Sequence, residues 1–310
     1  MRLAVTRWVA PFLFIGCTSA PGARGVAGGE SEGQGDASVA DSLAIVDARP
    51  PNSGDQGGPD PTRAPDGHDA APSRPRLIVL TRTEGYRHDS IPAAADAIRV
   101  LGEAMGLEVV VPSDETPVSV TSLDYAAAVV LLSTTGDFLE STEQTAVAEF
   151  VAAGGGLIGI HAAADAEYDW PGYPVVLGAW FAGHPAVQEA TVHVTAPEHP
   201  AVSGLPGTFT RTDEWYNFRP ATNAACPGPA CDPFHAEGVT VLLTVDEASY
   251  EGGAMGERHP IAWAHTPSAG RVFYTAMGHA TESYTDPTFL EHLRLGLRWA
   301  ARRDEALGGF

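Results

Sequence analysis

The sequence predicts an α/β fold in which a parallel β-sheet carries helices on both of its faces. Short apolar runs have the length of buried strands, and segments with helix-capping signals separate them. The second half of the chain is richer in strand-like runs than the first. One domain of this class, with strand-rich additions in its second half, is the simplest interpretation.

Four apolar runs predict the first strands, and capping signals predict the helices between them. The runs are Leu77–Thr81, Leu107–Val111, Ala126–Leu132 and Leu157–Ile160. Ser90, with Pro92 in the first turn, predicts the start of one helix, which Gly106 ends. Ser141 and Gln144 form a capping-box pattern at the start of the next helix.

The second half contains four further strand-like runs and one long helix. The runs are TVHV, VTVLLTV, IAWAH and RVFYTAM. The helix is predicted to begin after Asp286 and Pro287 and to end near Arg302, with leucines on its inner face. No stretch of about 18 apolar residues occurs, so the sequence predicts no transmembrane helix.

The first 72 residues are predicted to lie outside the fold. Residues 1–17 have a basic start, a short apolar run and a small residue before Cys17, as in a secretory signal. The tetrapeptide Phe14-Ile15-Gly16-Cys17 resembles a bacterial lipobox, which predicts lipidation of Cys17; an ordinary signal peptide or a misassigned start codon are the alternatives. Residues 18–72 are rich in Gly, Ala, Pro, Ser and Asp and predict a disordered tether, which leaves residues 73–310 as the domain. We therefore expect export to the cell envelope, on the periplasmic side of a bacterial membrane, or to the extracellular space.

The charge balance restricts the partners. The 310 residues include 18 basic and 39 acidic side chains, a net charge of −21. A chain this acidic predicts no binding to nucleic acid, and it predicts contact with a membrane only through the lipid anchor. All 18 basic residues are arginines, so Schiff-base chemistry and a phosphate-binding lysine are excluded. Composition leaves a homo-oligomer open.

Cys226 and Cys231 lie close together in the Pro/Gly-rich segment CPGPAC. In an oxidising envelope the pair predicts a small local disulfide, with two free thiols as the alternative. A catalytic thiolate is the least favoured interpretation, because neither cysteine follows a strand at the start of a helix.

Polar side chains gather directly after the predicted strands. Ligands of open parallel sheets bind beyond the carboxyl ends of the strands, so these residues are expected at one common edge. The candidates are Glu84, Tyr86, Arg87 and His88 after the first strand, Thr134 and Asp137 after the third, His161 and Asp165 after the fourth, and His279 after RVFYTAM.

His161 stands between small residues at a strand-to-helix switch, in the sequence Gly159-Ile160-His161-Ala162-Ala163. A nucleophile elbow needs this spacing for its tight backbone. An imidazole in that position suits general acid/base catalysis or metal ligation. The alternative is a histidine that bonds a neighbouring carbonyl in a plain turn.

A second group of candidates pairs carboxylates with aromatic rings. Asp213 and Glu214 precede Trp215 and Tyr216, and Glu251 follows another tyrosine. Rings that stack on sugar faces beside carboxylates that bind hydroxyls would suit carbohydrate recognition. In a strand, Asp213 and Glu214 point to opposite faces, so at most one easily serves a given site. A core role for Trp215 and a solvated loop around Glu251 are the alternatives.

Eight segments together resemble the ThuA-like, or trehalose-utilisation, domain. They are TRTEGYRHDSIP, LSTTGD, GGGLIGIHAAADAEYDWP, FAGHP, TDEWYNFR, TVDEASYEGG, HPIAW and YTAMGH, in the family's order, spanning about Leu77 to Ala301. The resemblance implies a flavodoxin-like fold of the class I glutamine amidotransferase type and a role in disaccharide or keto-sugar catabolism. In glutamine amidotransferases the matching elbow position holds a nucleophilic cysteine, so His161 implies that the chain is not a glutaminase.

The sequence therefore favours an enzyme that acts on a carbohydrate. In this hypothesis His161 is a general base or metal ligand, Asp165 orients it, and Glu84 or Asp213 supplies a second acid/base. His161, His184 and His279 with a carboxylate would suit a divalent metal, zinc first. A tethered carbohydrate-binding module without turnover is the main alternative, and a degenerate amidotransferase fold kept as an interaction surface is a third.

Overall fold

A computed structural model describes residues 74–219 and 238–303. The predicted signal, the tether, Cys17, Cys226 and Cys231 lie outside the described residues. Within them, nine strands form one mixed sheet in the order β2-β1-β3-β4-β11-β10-β9-β6-β7, and β5 pairs with β8 in a separate ribbon. The predicted α/β class with a flavodoxin-like parallel sheet is confirmed.

The parallel half of the sheet consists of five strands. They are β1 (Arg76–Leu80), β2 (Glu108–Val110), β3 (Ala126–Leu132), β4 (Gly156–Ile160) and β11 (Arg271–Thr275). Val129, Val130 and Leu131 in β3 are fully buried, as are Leu157 and Ile158 in β4. These continuous apolar strands are typical of parallel sheets that are covered on both faces.

Four α-helices accompany the sheet in residues 74–219 and 238–303: α1 (Ile91–Ala104), α2 (Ser141–Ala152), α3 (Tyr173–Leu177) and α4 (Pro287–Ala300). Helix α4 packs against β4 and β11, and α1 packs against β2 and β3. In the described part of the chain, no helix combines the length and apolarity needed to cross a membrane.

The other half of the sheet is antiparallel, and all of its strands come from the second half of the chain. It contains β6 (Gln188–Val194), β7 (Thr208–Asp213), β9 (Val239–Val245) and β10 (His259–His265). Strand β10 pairs with β11 and joins the two halves. The separate ribbon, β5 (Trp180–Gly183) with β8 (Asn217–Arg219), and strand β7 are not predicted, because the ribbon strands are short and β7 consists mostly of polar residues.

Ser90 occupies the N-cap position of α1, as predicted, whereas the capping box of α2 differs from the predicted one. Ser90 does not cap α1 with its side chain; its hydroxyl instead donates to the carbonyl of Gly278, at 3.4 Å. The capping box of α2 lies one residue earlier than predicted, on Glu140 and Glu143. Glu143 is held in that role by a 2.8 Å ion pair with Arg82, a tertiary contact that the local pattern does not contain.

A buried histidine without partners lies on the inner side of α4. His292 is fully buried beside the ring of Phe273, and neither of its ring nitrogens has a hydrogen-bond partner among the described residues. Burial and, to a smaller extent, the charge of Arg211 lower the pKa of His292 to about 3. The imidazole is therefore neutral in the folded protein.

We expect His292→Leu to stabilise the fold, with a gain that grows in acid. Removing two unpaired buried polar atoms contributes about 1–2 kcal/mol at about pH 7.5. The unfolded wild type takes up a proton near the ordinary pKa of 6.5, whereas folded His292 does not until about 3. Wild-type stability therefore falls as the pH drops through that window, which adds roughly 2 kcal/mol to the variant's advantage at about pH 5.

Urea unfolding of wild type and variant at the two pH values measures this difference. His193→Leu is the matched control, because His193 is only half-buried and contacts the hydroxyl of Thr208. A stability gain that does not change with pH would contradict the assignment.

Candidate functional site

The described structure brings four polar side chains together at the carboxyl edge of the sheet. They are His88, after β1; His161, after β4; Glu214, after β7; and His279, after β11. We call these residues the cluster. One ligand-type atom from each lies within 4.8 Å of the others.

His161 lies on a strained turn that aims its ring into the cluster. Its φ of 52° is unusual for a residue other than glycine, and its side chain is fully buried. A Cβ on Gly159 would lie 2.8 Å from the ring of Tyr274, so the strand approaches its neighbour too closely for a larger residue. The hydroxyl of Tyr274 donates to the His161 carbonyl at 2.8 Å and fixes the turn.

One hydrogen bond determines the tautomer of His161. Its Nδ1 lies 2.7 Å from the carbonyl oxygen of Ala276, which can only accept, so Nδ1 carries the proton. Nε2 therefore presents its lone pair to the cluster. It faces His88 Nε2 at 3.1 Å, the hydroxyl of Tyr216 at 3.1 Å and a carboxylate oxygen of Glu214 at 3.5 Å.

His88 is nearly buried and neutral. Burial, followed by the proximity of His161 and His279, lowers the pKa of His88 to about 3. Its Nδ1 is buried without a hydrogen-bond partner among the described residues. The ring is therefore oriented by its Nε2 contact with His161 and by neighbouring rings, including that of Tyr86.

Glu214 provides the negative charge of the cluster. Burial alone would raise the pKa of Glu214, but contacts with His161 and His279 outweigh it and hold the pKa well below the usual range. Oε2 lies 3.1 Å from His279 Nδ1, although no hydrogen bond of good geometry forms. The contact with the carboxylate raises the pKa of His279 against the effect of burial.

Asp213 bonds the backbone of two members of the cluster and is not one of the four residues whose ligand atoms converge. One carboxylate oxygen accepts from the N–H of Glu214 at 3.0 Å and of His279 at 3.1 Å. The other accepts from the N–H of Gly278 and from the guanidinium of Arg211, each at 3.0 Å. With both oxygens occupied, a positioning role suits Asp213 better than the acid/base role expected from the sequence.

His184 lies beside the cluster and not within it. Its Nδ1 is 3.5 Å from Glu214 Oε1, whereas His279 contacts Oε2, and 2.8 Å from the carbonyl of Pro185. The side chain is about one third exposed. The sequence predicted His161, His184 and His279 as metal ligands. In the structure His88 and Glu214 join His161 and His279, and His184 is not part of the cluster.

Asp165 is a half-buried carboxyl next to this group. The hydroxyl of Tyr168 donates to it at 2.6 Å. Burial raises the pKa of Asp165, while the Tyr168 bond and nearby His184 and Arg219 oppose that rise. A carboxyl in these surroundings can exchange protons more readily near neutral pH than an ordinary aspartate.

The remaining candidates occupy varied positions. Tyr86 is 65% exposed, and its ring meets the His88 ring edge-on at the rim of the cluster. Arg87 turns to the end of β1, where it donates to the carbonyl of Thr81 at 2.9 Å. Thr134 is fully buried, whereas Glu84, Asp137 and Glu251 are exposed.

Of the two aromatic residues after Glu214, Trp215 belongs to the core and Tyr216 to the site. Trp215 is fully buried and donates from its indole nitrogen to the carbonyl of Gln188 at 2.9 Å, so it is core and not a sugar-stacking surface. Tyr216 points the other way, and its hydroxyl reaches His161. Two residues that were not among the site candidates lie behind Tyr216. His259, fully buried, contacts the carbonyl of Tyr216, and Glu247 contacts His259.

Comparisons with known proteins agree with this fold. A family model described as "ThuA: Trehalose utilisation" matches residues 76–300. A ThuA-like protein from Bacteroides uniformis has a similar structure, with 23% identity, a TM-score of 0.58, and coverage of 76% of this chain and 95% of that one. One from Parabacteroides merdae has 20% identity, a TM-score of 0.56, and coverage of 74% and 90%. No curated protein matches the sequence.

We expect Asp213→Asn to destabilise the protein by roughly 3–5 kcal/mol, the usual effect of breaking a buried ion pair from one side. The amide would remove the buried carboxylate that pairs with Arg211, leaving Asp286 at 3.9 Å as its acidic neighbour, and would leave at least one backbone N–H without an acceptor. Denaturant unfolding measures the loss. Asp96→Asn, at an exposed position of α1, is the matched control. A loss below about 1 kcal/mol would show that Asp213 does not organise the site.

Proposed function

The chain belongs to the ThuA (trehalose utilisation) family, and from that premise we propose that its cluster binds a divalent transition metal and acts on a carbohydrate. The observation that carries the proposal is the convergence of three imidazoles and one carboxylate at ligand-to-ligand distances. Zinc is the first choice, because nitrogen-rich sites favour it over magnesium or calcium.

Two contacts within the cluster have the separation expected of metal ligands. Ligands about 2.0–2.1 Å from zinc in a tetrahedron lie about 3.3 Å from each other. The contact between His88 Nε2 and His161 Nε2, and that between His279 Nδ1 and Glu214 Oε2, are both 3.1 Å. A cation among these atoms would bind the His161 lone pair and the carboxylate together.

The surroundings of the cluster support a small polar substrate. Tyr86 offers an exposed ring beside His88, and Asp165 and His184 offer polar groups that are partly open to solvent. Rings, carboxyls and hydroxyls in this combination suit a sugar, in keeping with the family's link to trehalose utilisation. The strong negative charge disfavours nucleic acid as a partner.

In this proposal the residues have separate roles. His88, His161, Glu214 and His279 would hold the metal, which when bound can polarise a substrate oxygen or lower the pKa of a water. Asp165, with its raised pKa, would give or take the proton, and Tyr168 would orient it. The imidazole at the elbow gives no thiol for acyl transfer, so the proposal excludes glutaminase activity.

Export belongs to the same proposal. The signal-like start and the lipobox-like Cys17 would attach the domain to the cell envelope through the acidic tether. A sugar-acting domain held in this way would meet its substrate outside the cytoplasm. Absence of palmitate incorporation, in cells that export the full chain, would argue against the anchor.

We expect the purified protein to contain about one zinc per chain. His161→Ala and His279→Ala should lose it, with affinity reduced at least ~100-fold, because even partners of metal ligands contribute about 10–100-fold. His184→Ala should retain zinc, as should the control His193→Ala. Elemental analysis after purification without chelators measures this. Zinc retained in His161→Ala, or absent from the wild type, would refute the metal site.

We expect Asp165→Asn to lose turnover while it still binds sugar. General acid/base groups contribute about 10²–10⁴-fold to rate, so turnover should fall at least ~100-fold. A panel of disaccharides and keto-disaccharides, assayed for both binding and product formation, tests this, with Asp96→Asn as the control. If the wild type binds sugars but converts none, the chain is a binding module.

A further inference from the structure

The hydroxyl of Tyr216 is a buried donor with a single hydrogen-bond partner among the described residues. The residue is 2% exposed, and its hydroxyl lies 3.1 Å from His161 Nε2. Because Nδ1 of His161 carries the ring proton, Nε2 is the acceptor and the tyrosine the donor.

Metal binding would remove that acceptor. The single lone pair on His161 Nε2 cannot both ligate a cation and accept a hydrogen bond. The Tyr216 hydroxyl would then be left buried, next to the metal, with a proton to donate. An oxygen atom bound to the metal as a further ligand is the nearest acceptor that the chemistry of the site supplies, since zinc can expand to five ligands.

The ring of Tyr216 is held on three sides. Ring centroids lie 4.4 Å away at Phe181, 4.6 Å at His161 and 5.7 Å at His184, the last with the planes only 25° apart. Because the ring cannot swing away, loss of its acceptor does not release the hydroxyl to solvent.

The backbone of Tyr216 is held from behind by a second, fully buried histidine. His259 Nε2 lies 2.8 Å from the Tyr216 carbonyl, an acceptor, so Nε2 carries a proton. His259 Nδ1 faces Glu247 Oε1 at 2.9 Å and the hydroxyl of Tyr250 at 2.8 Å. Glu247 Oε1 also accepts from the N–H of Met255 at 2.6 Å, which anchors the carboxylate.

We propose that Tyr216 is a catalytic residue that donates a hydrogen bond to the exogenous oxygen on the metal, and that His259 and Glu247 are positioning residues for it. The inference rests on the metal site of the proposed function. A fixed donor aimed at a metal-bound oxygen stabilises negative charge that develops there. The substrate class is therefore one whose reacting oxygen becomes more negative during the reaction, such as a carbonyl or a deprotonated hydroxyl.

Cobalt-loaded protein allows a test without a known substrate. Cobalt(II) replaces zinc and gives a visible spectrum that changes when an oxygen anion binds, and acetate is the probe. We expect wild type and Tyr216→Phe to bind one cobalt with affinities within about 3-fold of each other. Acetate should bind Tyr216→Phe roughly 10- to 100-fold more weakly, the range expected for a hydrogen bond to a charged group.

A double-mutant cycle tests the positioning role. His259→Gln should weaken acetate binding roughly 3- to 10-fold in the wild-type background and have no further effect in Tyr216→Phe, because it acts through the hydroxyl. Tyr173→Phe is the matched control; its buried hydroxyl donates to the carbonyl of Ala163 and does not contact the cluster ligands. It should leave both affinities unchanged.

Each outcome separates the two proposals. A wild type that takes up no cobalt refutes the metal site and this inference with it. Normal cobalt binding with unchanged acetate affinity in Tyr216→Phe overturns this inference alone. Loss of cobalt from a folded Tyr216→Phe also overturns it, since the hydroxyl would then support the metal and not its oxygen ligand.

Discussion

The geometry of the site depends on the carboxylate of Asp213, because its hydrogen bonds join the parallel half of the sheet to the antiparallel half. The three histidines of the cluster follow parallel strands, whereas Glu214 follows a strand of the antiparallel half. Asp213 accepts backbone N–H groups from both sides, and Arg211 balances its charge. The separation of Glu214 and His279 is therefore determined by the protein itself before any ligand arrives, which is the preorganisation that metal ligation and electrostatic catalysis require.

Five consecutive residues, Asp213 to Asn217, form one wall of the site through simple alternation. Asp213 ties the backbone to the loop after β11, Glu214 enters the cluster, and Trp215 turns back into the core. Tyr216 faces the cluster again, and Asn217 bonds the loop at Gly252 and Ala254. Packing of Trp215 in the core therefore fixes the positions of the polar side chains of Glu214 and Tyr216 on the opposite side of this segment.

The sequence predicts where the site lies, but it does not predict which residues form it. Polar residues that follow the apolar runs predict the shared edge, since parallel strands have their carboxyl ends there. The choice between Asp213 and Glu214 depends on Arg211 and on the N–H of Gly278, and no local pattern contains those contacts. The capping box of α2 differs from its predicted position for the same reason, because Glu143 pairs with Arg82, 61 residues away. Tertiary partners decide what local propensity leaves open.

The left-handed backbone at His161 fixes the direction of the side chain at this position, whichever functional group that side chain carries. Backbone conformation, at φ 52°, directs whatever side chain stands there to the same point, and the conformational strain of about 1 kcal/mol applies to any residue other than glycine. The imidazole there presents Nε2 to His88, Tyr216 and Glu214. Another functional group at this position would be directed to the same point without a change in the sheet beneath it.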